Sequence, residues 1–206
     1  MPHIRFHCPL GTDSTDKCWL STDFCGLLCV LITYFVHLYS LLANLEITLH
    51  PSLWNDNATP IRTFYLFFFT FALASHLKAM FTDPGAVPST AKPLPDYFET
   101  MLLPGFGSPL SPTALTDKEH RISSRCCPRC SDRFKPPRAH HDSITGRCIV
   151  KFDHYCPWVC NAVGLYNHKF FLLFIFYTAG TGILSGVGVI HGLIACASLS
   201  KSAMLV

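Results

Sequence analysis

A carboxylate, an imidazole and a thiol lie within four residues of one another, at Asp153, His154 and Cys156. A free cysteine has a pKa of about 8.5, so only a small fraction of it is thiolate at neutral pH. A neighbouring imidazole can accept the thiol proton, and a carboxylate can fix the tautomer of that imidazole. This chemistry predicts Cys156 as a nucleophile, His154 as its general base and Asp153 as the residue that orients the base. The same side chains could instead only shape a loop around a metal.

The segment that carries these residues is rich in cysteine and histidine and begins near Ser124. It has little hydrophobic periodicity and few apolar residues to offset chain entropy, which indicates a small domain ordered by a metal. Its Cys127-Pro-Arg-Cys130 pair fits thiol redox chemistry as well as zinc binding. The lack of a βαβ pattern around the pair, and the His141 and Cys148 that follow, favour zinc.

Long apolar stretches predict that a membrane surrounds the helices that position this segment. Half of the residues are hydrophobic, 14% are charged and the mean hydropathy is +0.31, values untypical of a soluble domain. Three stretches are long enough for a hydrocarbon core of about 30 Å: residues 24–43, 61–81 and 170–200. Buried core helices are the alternative, but runs of this length in so short a chain favour transmembrane spans.

Basic residues predict the side of the membrane that each segment occupies. Residues 82–169 carry most of the lysines and arginines, whereas residues 44–60 carry none. The positive-inside rule therefore places the long segment in the cytosol and the short loop in the lumen. A glycosylation sequon in the short loop, Asn57-Ala58-Thr59, agrees weakly with that location. Three spans then put the N-terminus in the cytosol and Val206 in the lumen.

The predicted fold class is an all-α polytopic membrane protein with three transmembrane helices and a cytosolic cysteine-rich zinc domain between the second and third. Frequent prolines and glycines after the second helix prevent long helices and indicate a linker along the membrane surface. The predicted segments are a cytosolic N-terminal segment 1–23, helix 24–43, lumenal loop 44–60, helix 61–81, linker 82–123, cysteine-rich domain 124–169 and helix 170–200.

The predicted location decides how the cysteines and the charge are interpreted. In a reducing cytosol, metal binding or catalysis is the default role of the cysteines in segment 124–169. Cys25, Cys29 and Cys196 fall within predicted spans and are interpreted as small apolar packing residues. The formal net charge of +3 is too small to indicate a nucleic-acid partner, so the lipid bilayer is the expected partner surface.

Several motifs of the chain occur in a specific order: Asp83-Pro84-Gly85, Cys127-Pro-Arg-Cys130, Lys135-Pro-Pro-Arg138-Ala-His140-His141, Cys148, Asp153-His154-Tyr155-Cys156-Pro-Trp158, Asn161, Val163-Gly164, Asn167 and Lys169-Phe-Phe171. Over roughly residues 20–200 this order resembles the DHHC-type protein S-acyltransferase (palmitoyltransferase) family, here with an Asp-His-Tyr-Cys signature. The resemblance implies transfer of a long-chain acyl group, typically palmitoyl, from acyl-CoA through a Cys156 acyl-enzyme to a cysteine of a membrane-associated protein. It also implies an endomembrane location, in the Golgi or the ER.

The family carries two structural zinc sites, each made of three cysteines and one histidine. Matched position by position, the resemblance implies that the first site consists of Cys127, Cys130, His141 and Cys148. This set has the ligands that a closed tetrahedral zinc site requires. The spacing before His141 is one residue longer than usual, so His140 is a possible substitute.

All four ligand positions of the family's second zinc site are replaced, by Asp142, Thr145, Tyr155 and Ala162. A half-dismantled site would leave costly unpaired thiolates or an unpaired imidazole, so the joint loss predicts a coherent replacement. Asp142, Thr145 and Tyr155 could form it through hydrogen bonds. We therefore predict one zinc ion per chain. Tyr155 spares the proposed relay, so its presence alone does not predict an inactive protein.

Three questions about function stay open in the sequence. Cys160 could rescue a metal site, accept an acyl chain, pair with Cys156 on oxidation, or be inert. The family has four spans and further motifs after the last, so a chain ending at Val206 is expected to be a fragment or a shortened form that needs a partner. The alternative functions are a non-catalytic zinc-bearing membrane adaptor and, with Cys127 and Cys130, a thiol oxidoreductase.

Overall fold

The computed structural model describes residues 19–49, 58–92 and 126–204. These residues form two compact units. The helical unit comprises residues 22–49, 58–81, 156–160 and 168–204, and the cysteine-rich unit comprises residues 19–21, 82–92, 126–155 and 161–167. The rest of the predicted N-terminal segment and linker, the sequon at Asn57 and the chain end at Val206 lie outside the described residues.

Three long helices make up most of the helical unit. They are α1 at Phe24–Leu49, α2 at Ala58–Phe81 and α3 at His168–Met204. Each contains a segment long and apolar enough to cross a membrane, at Phe24–Ile47, Thr59–Phe81 and His168–Ser198. Most of α3 is uncharged and exposes large aliphatic side chains, as a helix facing lipid requires.

Local capping explains where the first two helices begin and end. The carboxylate of Asp23 accepts the backbone N–H of Gly26 at 2.7 Å, which satisfies a free donor in the first turn of α1. Helix α2 stops at Phe81, three residues before Pro84, which lacks a backbone N–H and disfavours helical geometry just before it. The carboxylate of Asp83 then accepts the N–H groups of Gly85 and Ala86 at 2.8 and 2.7 Å and turns the chain.

Polar side chains join all three helices at one level. The hydroxyl of Ser40 in α1 lies 3.0 Å from the hydroxyl of Tyr65 in α2 and 3.0 Å from that of Ser185 in α3. Asn44 donates to Ser185 at 2.9 Å. Hydrogen bonds of this kind stabilise helix association where lipid replaces water.

The cysteine-rich segment forms three two-stranded sheets, so the all-α fold class predicted from the sequence is wrong for it. The pairs are β1 (Cys126–Cys127) with β2 (Arg133–Phe134), β3 (Ala139–Asp142) with β4 (Arg147–Val150), and β5 (His154–Cys156) with β6 (Asn161–Val163). Left-handed backbone conformations occur between the strands, at Ser131, Arg138 and Lys151, with φ angles of 57°, 61° and 50°. Helices cannot continue through such positions, whereas short hairpins can turn at them.

Residues 83–91, at the start of the predicted linker, pack onto the edge of β4. Ala86 forms a bridge with Ile149, and the N–H of Val87 donates to the carbonyl of Cys148 at 2.7 Å. The N–H of Val150 donates to the carbonyl of Gly85 at 2.8 Å. Gly85 has a φ of 102°, a conformation that side chains other than glycine rarely adopt, which explains the glycine of the Asp-Pro-Gly motif.

A small apolar core supports this unit beside its metal-ligand candidates. Trp19, Ala86, Ile149 and Ala162 are buried together, and Phe152 and Tyr155 pack against them. The composition of this segment predicted order from a metal alone, because Trp19 and Ala86 come from distant parts of the chain. The core gives the cysteine-rich unit a second source of stability.

Gly164 lies where two segments of the cysteine-rich unit come very close. A Cβ atom at this position would overlap the carbonyl oxygen of Pro84 and would lie 2.5 Å from Cγ2 of Ile149. Asn167 holds the loop by accepting the N–H of Gly164 at 2.9 Å and donating to the carbonyl of Ala162 at 2.7 Å. The Gly and Asn motif residues are therefore explained by backbone packing.

Candidate functional site

Four predicted metal ligands converge in the cysteine-rich unit. The ligand atoms of Cys127, Cys130, His141 and Cys148 all lie within 4.8 Å of one another. Sγ of Cys130 lies 3.2 Å from Nδ1 of His141 and 3.8 Å from Sγ of Cys148, and Sγ of Cys127 lies 3.7 Å from the same Nδ1. Tetrahedral zinc bond lengths correspond to separations of about 3.8 Å between sulfurs and about 3.5 Å between sulfur and nitrogen. The cluster therefore fits a four-coordinate metal.

Two hairpins bring the four ligands together. Cys127 precedes a tight turn at Pro128–Cys130 and Cys130 ends it, and the left-handed Ser131 returns the chain into β2. His141 and Cys148 are directly opposed in the β3–β4 register. Successive side chains of a strand point to opposite faces, and His140 is accordingly exposed. The possible substitution of His140 for His141 therefore does not occur in this geometry.

The electrostatics of the cluster also suit a cation. Burial, followed by the neighbouring Cys127 and Cys130, raises the pKa of the Cys148 thiol to about 12. Several sulfurs in one buried cluster cannot all carry negative charge unless positive charge compensates them. A divalent metal ion provides that charge and keeps a coordinating thiol deprotonated. This donor set is therefore suited to hold a metal.

The four positions of the family's second site do not form a group of metal ligands among the described residues. Asp142 is buried, and its carboxylate accepts the N–H groups of Ile144 at 3.3 Å and Thr145 at 2.8 Å, which closes the turn from β3 to β4. Ala162 lies in the apolar core and Tyr155 packs against it. The hydroxyl of Thr145 is buried without a hydrogen-bond partner. A carboxylate-capped turn and apolar packing occupy the place of the ligands.

The predicted base and its orienting carboxylate lie together at the surface of the cysteine-rich unit. Oδ2 of Asp153 is 3.1 Å from Nδ1 of His154, and both side chains are about half exposed, at 55% and 45%. The N–H of Asp153 donates to the carbonyl of Val163 at 2.9 Å, which fixes the backbone of the pair. With Nδ1–H donating to the carboxylate, the lone pair of a neutral His154 lies on Nε2, the atom that accepts a proton.

The predicted nucleophile groups with the helical unit, although it is the last residue of β5, the strand of the base. Cys156 is 6% exposed and precedes a single tight turn at Pro157–Val159. Burial raises the pKa of its thiol, while the backbone N–H groups of Trp158 and Val159 act in the opposite direction. The thiol is thus kept mostly protonated and depends on a base to become nucleophilic.

An apolar cavity of about 450 Å³ lies within the helical unit and has Cys156 in its wall. Its other walls come from Trp158 and from α1 and α3, including Val36 of α1 and Phe174 and Ile175 of α3. Volume and lining are typical of a site for an apolar ligand. The nucleophile candidate therefore lies next to a space that an alkyl chain can fill.

Cys160 is buried in the same loop as Cys156. Its backbone is left-handed, with a φ of 47°, and its thiol points at the carbonyl oxygen of Asp23 at a distance of 3.8 Å. It is not among the residues that form the metal-ligand cluster. Of the roles left open by the sequence, rescue of that metal site does not fit this position.

His76 contacts the nucleophile's loop and belongs to none of the motifs recognised in the sequence. His76 is buried in α2, and its Nε2 lies 2.9 Å from the carbonyl oxygen of Trp158. Its Nδ1 lies 3.0 Å from the hydroxyl of Tyr34 in α1. An ionisable residue in an apolar span is itself a signal of function, and that signal could have been used.

Comparison with known proteins agrees with the motifs. Residues 120–205 match the sequence model described as DHHC palmitoyltransferase. The chain is 37% identical over 187 residues to palmitoyltransferase ZDHHC7 of Mus musculus, which covers 90% of this chain and 52% of that protein. It is 40% identical over 174 residues to palmitoyltransferase ZDHHC3 of Homo sapiens, covering 83% and 50%.

A plant protein shares the same region. Probable protein S-acyltransferase 14 of Arabidopsis thaliana is 38% identical over 130 residues, covering 60% of this chain and 40% of the relative. This chain spans about half the length of the first two curated relatives. Motifs, metal-ligand cluster and these relatives agree on one assignment: the chain belongs to the DHHC-type protein S-acyltransferase family.

Proposed function

We propose that this protein is a protein S-acyltransferase that moves a long-chain acyl group, typically palmitoyl, from acyl-CoA to a cysteine of a membrane-associated protein. The observation that carries the proposal is the position of Cys156 in the wall of an apolar cavity between membrane-type helices. A thiol there meets the carbonyl carbon of an acyl group whose alkyl chain lies in the cavity. Water is a poor competitor in such a site, which favours transfer over hydrolysis.

The first half-reaction forms an acyl-enzyme. His154 accepts the proton of Cys156, and the sulfur attacks the thioester carbonyl of acyl-CoA. A bond forms between Sγ and the acyl carbon, the bond from that carbon to the CoA sulfur breaks, and the leaving CoA thiolate takes the proton. Asp153 supports this by holding the imidazole in the tautomer with its lone pair on Nε2, as their 3.1 Å contact suggests.

The second half-reaction passes the acyl group to a substrate cysteine. The substrate thiol loses its proton to His154, attacks the acyl-enzyme carbonyl, and Cys156 leaves as a thiolate that recovers the proton. In each half-reaction one carbon–sulfur bond forms and one breaks, so no oxidant or reductant is needed. The partners are therefore acyl-CoA, the lipid bilayer and membrane-associated proteins that present a cysteine near the membrane surface, and no nucleic acid is involved.

One zinc ion is proposed for the cluster of Cys127, Cys130, His141 and Cys148. When bound, zinc supplies structural cross-linking of the two hairpins, since four protein ligands leave no open position for substrate. Their separations support the assignment. Because β4 also carries Ile149 into the apolar core, a metal bound at the cluster would order both β4 and the core that lies before Asp153 in the chain.

The proposed arrangement in the cell is an integral membrane protein of the Golgi or the ER. Residues 82–123 form a cytosolic linker and residues 124–169 the cytosolic catalytic domain, while residues 44–60, which include the end of α1 and the start of α2, lie on the lumenal side. The basic residues of the cysteine-rich segment support this orientation. Acyl-CoA is a cytosolic metabolite with a charged head, so a thiol at the cytosolic surface can reach it.

The test is labelling of the purified full chain with radioactive palmitoyl-CoA. We expect a label that hydroxylamine removes and that Cys156→Ser abolishes, because the acyl-enzyme is a thioester. Cys196→Ser, at an exposed position of α3, is the matched control and keeps the label. No label in the wild-type chain would favour the adaptor. Reversible oxidation of Cys127 and Cys130 in place of labelling would favour the oxidoreductase.

A further inference from the structure

A histidine inside an apolar helix is hydrogen-bonded on both ring nitrogens. His76 of α2 is 1% exposed, and its Nε2 lies 2.9 Å from the carbonyl oxygen of Trp158. A carbonyl oxygen can only accept, so Nε2 carries the proton. Nδ1 of the neutral ring is then an acceptor, and the hydroxyl of Tyr34 in α1 donates to it at 3.0 Å. The two bonds fix the tautomer of His76.

Aromatic packing fixes the orientation of the same ring. Tyr34 meets His76 edge to face with 5.1 Å between ring centroids, and Phe174 of α3 does so from another side at 4.9 Å. Edge-to-face contacts at these distances are favourable. Each of the three helices therefore contributes to holding Nε2–H of His76 on the Trp158 carbonyl.

The carbonyl that His76 binds belongs to the nucleophile's turn. Trp158 C=O and Val159 N–H are the two ends of one peptide group, and the backbone of Trp158 and Val159 lowers the pKa of the Cys156 thiol against the opposing effect of burial. The thiol of Cys156 makes no side-chain capping hydrogen bond to the turn in this structure. Catalytic contacts of this kind are often long before substrate binds.

A hydrogen bond to the carbonyl end of a peptide group strengthens the N–H at its other end. Bonds in such chains polarise one another, more strongly in an apolar environment than in water. The N–H of Cys160 donates to the carbonyl of Pro157 at 3.0 Å and closes the turn, but it leaves the Trp158 carbonyl for His76. His76 of α2 thus hydrogen-bonds the carbonyl end of the Trp158–Val159 peptide group.

We propose that His76 is a positioning residue for the nucleophile, which holds the turn of residues 156–160 through the Trp158 carbonyl and so directs the N–H groups of Trp158 and Val159 at the sulfur of Cys156. His76 acts through the peptide group and touches neither acyl donor nor sulfur. The function of this arrangement rests on the acyltransferase proposal, whereas its geometry does not.

Other titratable groups surround the turn and stay in place in the variants below. From the helices they are Cys29, Tyr34 and His37. Asp153 and His154 precede the turn in the chain. A difference between a His76 variant and the wild-type chain therefore reports the contacts of His76 itself, to the Trp158 carbonyl and the Tyr34 hydroxyl, since the surrounding groups are common to both.

The test measures the pH dependence of Cys156 alkylation by iodoacetamide in the purified full chain with zinc, resolved by mass spectrometry of the Cys156 peptide. Alkylation reports thiolate formation and needs no acyl transfer, so it stays informative even if palmitoyl-CoA labels nothing. In His76→Leu we expect alkylation about threefold to tenfold slower at pH 7.5, with the midpoint shifted upward by about half a unit to one unit and the high-pH plateau retained. His76→Gln restores a donor near Nε2 and should recover most of the rate.

Ser75→Ala is the matched control. Among the described residues, the hydroxyl of Ser75 donates only to the carbonyl of Phe71 in its own helix, at 2.7 Å. It should alkylate like the wild-type chain. A lower plateau with an unchanged midpoint in His76→Leu would overturn the proposal, because it indicates general loss of structure. Equal behaviour of the Gln and Leu variants, or no change in either, would overturn it as well.

Discussion

His141 and Cys148 lie directly opposite each other in the β3–β4 hairpin, and this register places Nδ1 and Sγ in one cluster with two further thiols. The hairpin links the metal-ligand cluster to the rest of the unit. Ile149 on the same strand is fully buried in the apolar core, and the N–H of Val150 donates to the carbonyl of Gly85. Changes at the cluster should therefore be felt beyond its four ligands.

Metal content should be one zinc ion per chain. Cys148→Ser should lose the metal and destabilise the cysteine-rich unit, because the remaining thiols and imidazole cannot complete a closed site. Elemental analysis by mass spectrometry of the purified chain measures the ratio. His140→Ala, an exposed neighbour on the same strand, is the control and should keep its zinc. Two zinc ions in the wild-type chain would contradict the replaced second site.

Asp142 should stabilise the fold without binding metal. Asp142→Ala removes the acceptor of two backbone N–H groups in the β3–β4 turn and should cost about 1–3 kcal/mol of unfolding free energy. Thermal unfolding of the zinc-bound chain measures the loss. Thr145→Val is the matched comparison: the hydroxyl of Thr145 is buried without a partner, so its removal should be neutral or stabilising. A larger loss for Thr145→Val than for Asp142→Ala would contradict this assignment.

Gly164 should not tolerate a side chain. A Cβ atom there would overlap the Pro84 carbonyl, so Gly164→Ala should cost about 1–3 kcal/mol or more and separate residues 83–91 from β4. The yield of monodisperse protein and the midpoint of thermal unfolding measure the effect. Gly182→Ala is the control, since no atom lies within 4 Å of the added carbon. An unchanged midpoint in Gly164→Ala would show that the close approach to Pro84 is wrong.

The rate of acyl-enzyme formation should rise with pH. Burial raises the pKa of Cys156, so its thiolate is scarce at neutral pH and increases as the pH approaches the raised value. His154→Ala should lower the rate at pH 7 by about 10²- to 10⁴-fold, and by less at high pH, where hydroxide removes the thiol proton. Single-turnover labelling with palmitoyl-CoA measures both. His168→Ala, an exposed histidine, is the control. An equal loss at every pH would argue against a general base.

Parts of this structure were predictable from the chain itself. The apolar stretches indicated three helices because a run with few or no charges that is long enough for a bilayer has few other solutions. The convergence of Cys127, Cys130, His141 and Cys148 followed from a resemblance and not from spacing alone. The strands of two to four residues were missed, since elements that short carry no measurable periodicity.

Contacts between distant residues were also beyond sequence reasoning. His76 binds a carbonyl 82 residues away, and a backbone carbonyl has no residue type to reveal it. Trp19 joins the core with Ala86 and Ile149, which no local pattern connects. The replacement of the second site was visible as four missing ligands, but its form depended on which side chains the fold brings to that place.

That replacement of the second site changes how the protein responds to oxidants and to loss of metal. Where the resemblance places three thiols, this chain has Asp142, Thr145 and Ala162, and where it places an imidazole, this chain has Tyr155. Oxidants and chelators find no sulfur or metal to attack at those positions, because a capped turn and packed apolar groups hold them. In a cell short of zinc or rich in peroxide, loss of a metal or oxidation of a thiol cannot occur at these four positions, so among the described residues the chain has one metal-ligand cluster to lose, that of Cys127, Cys130, His141 and Cys148.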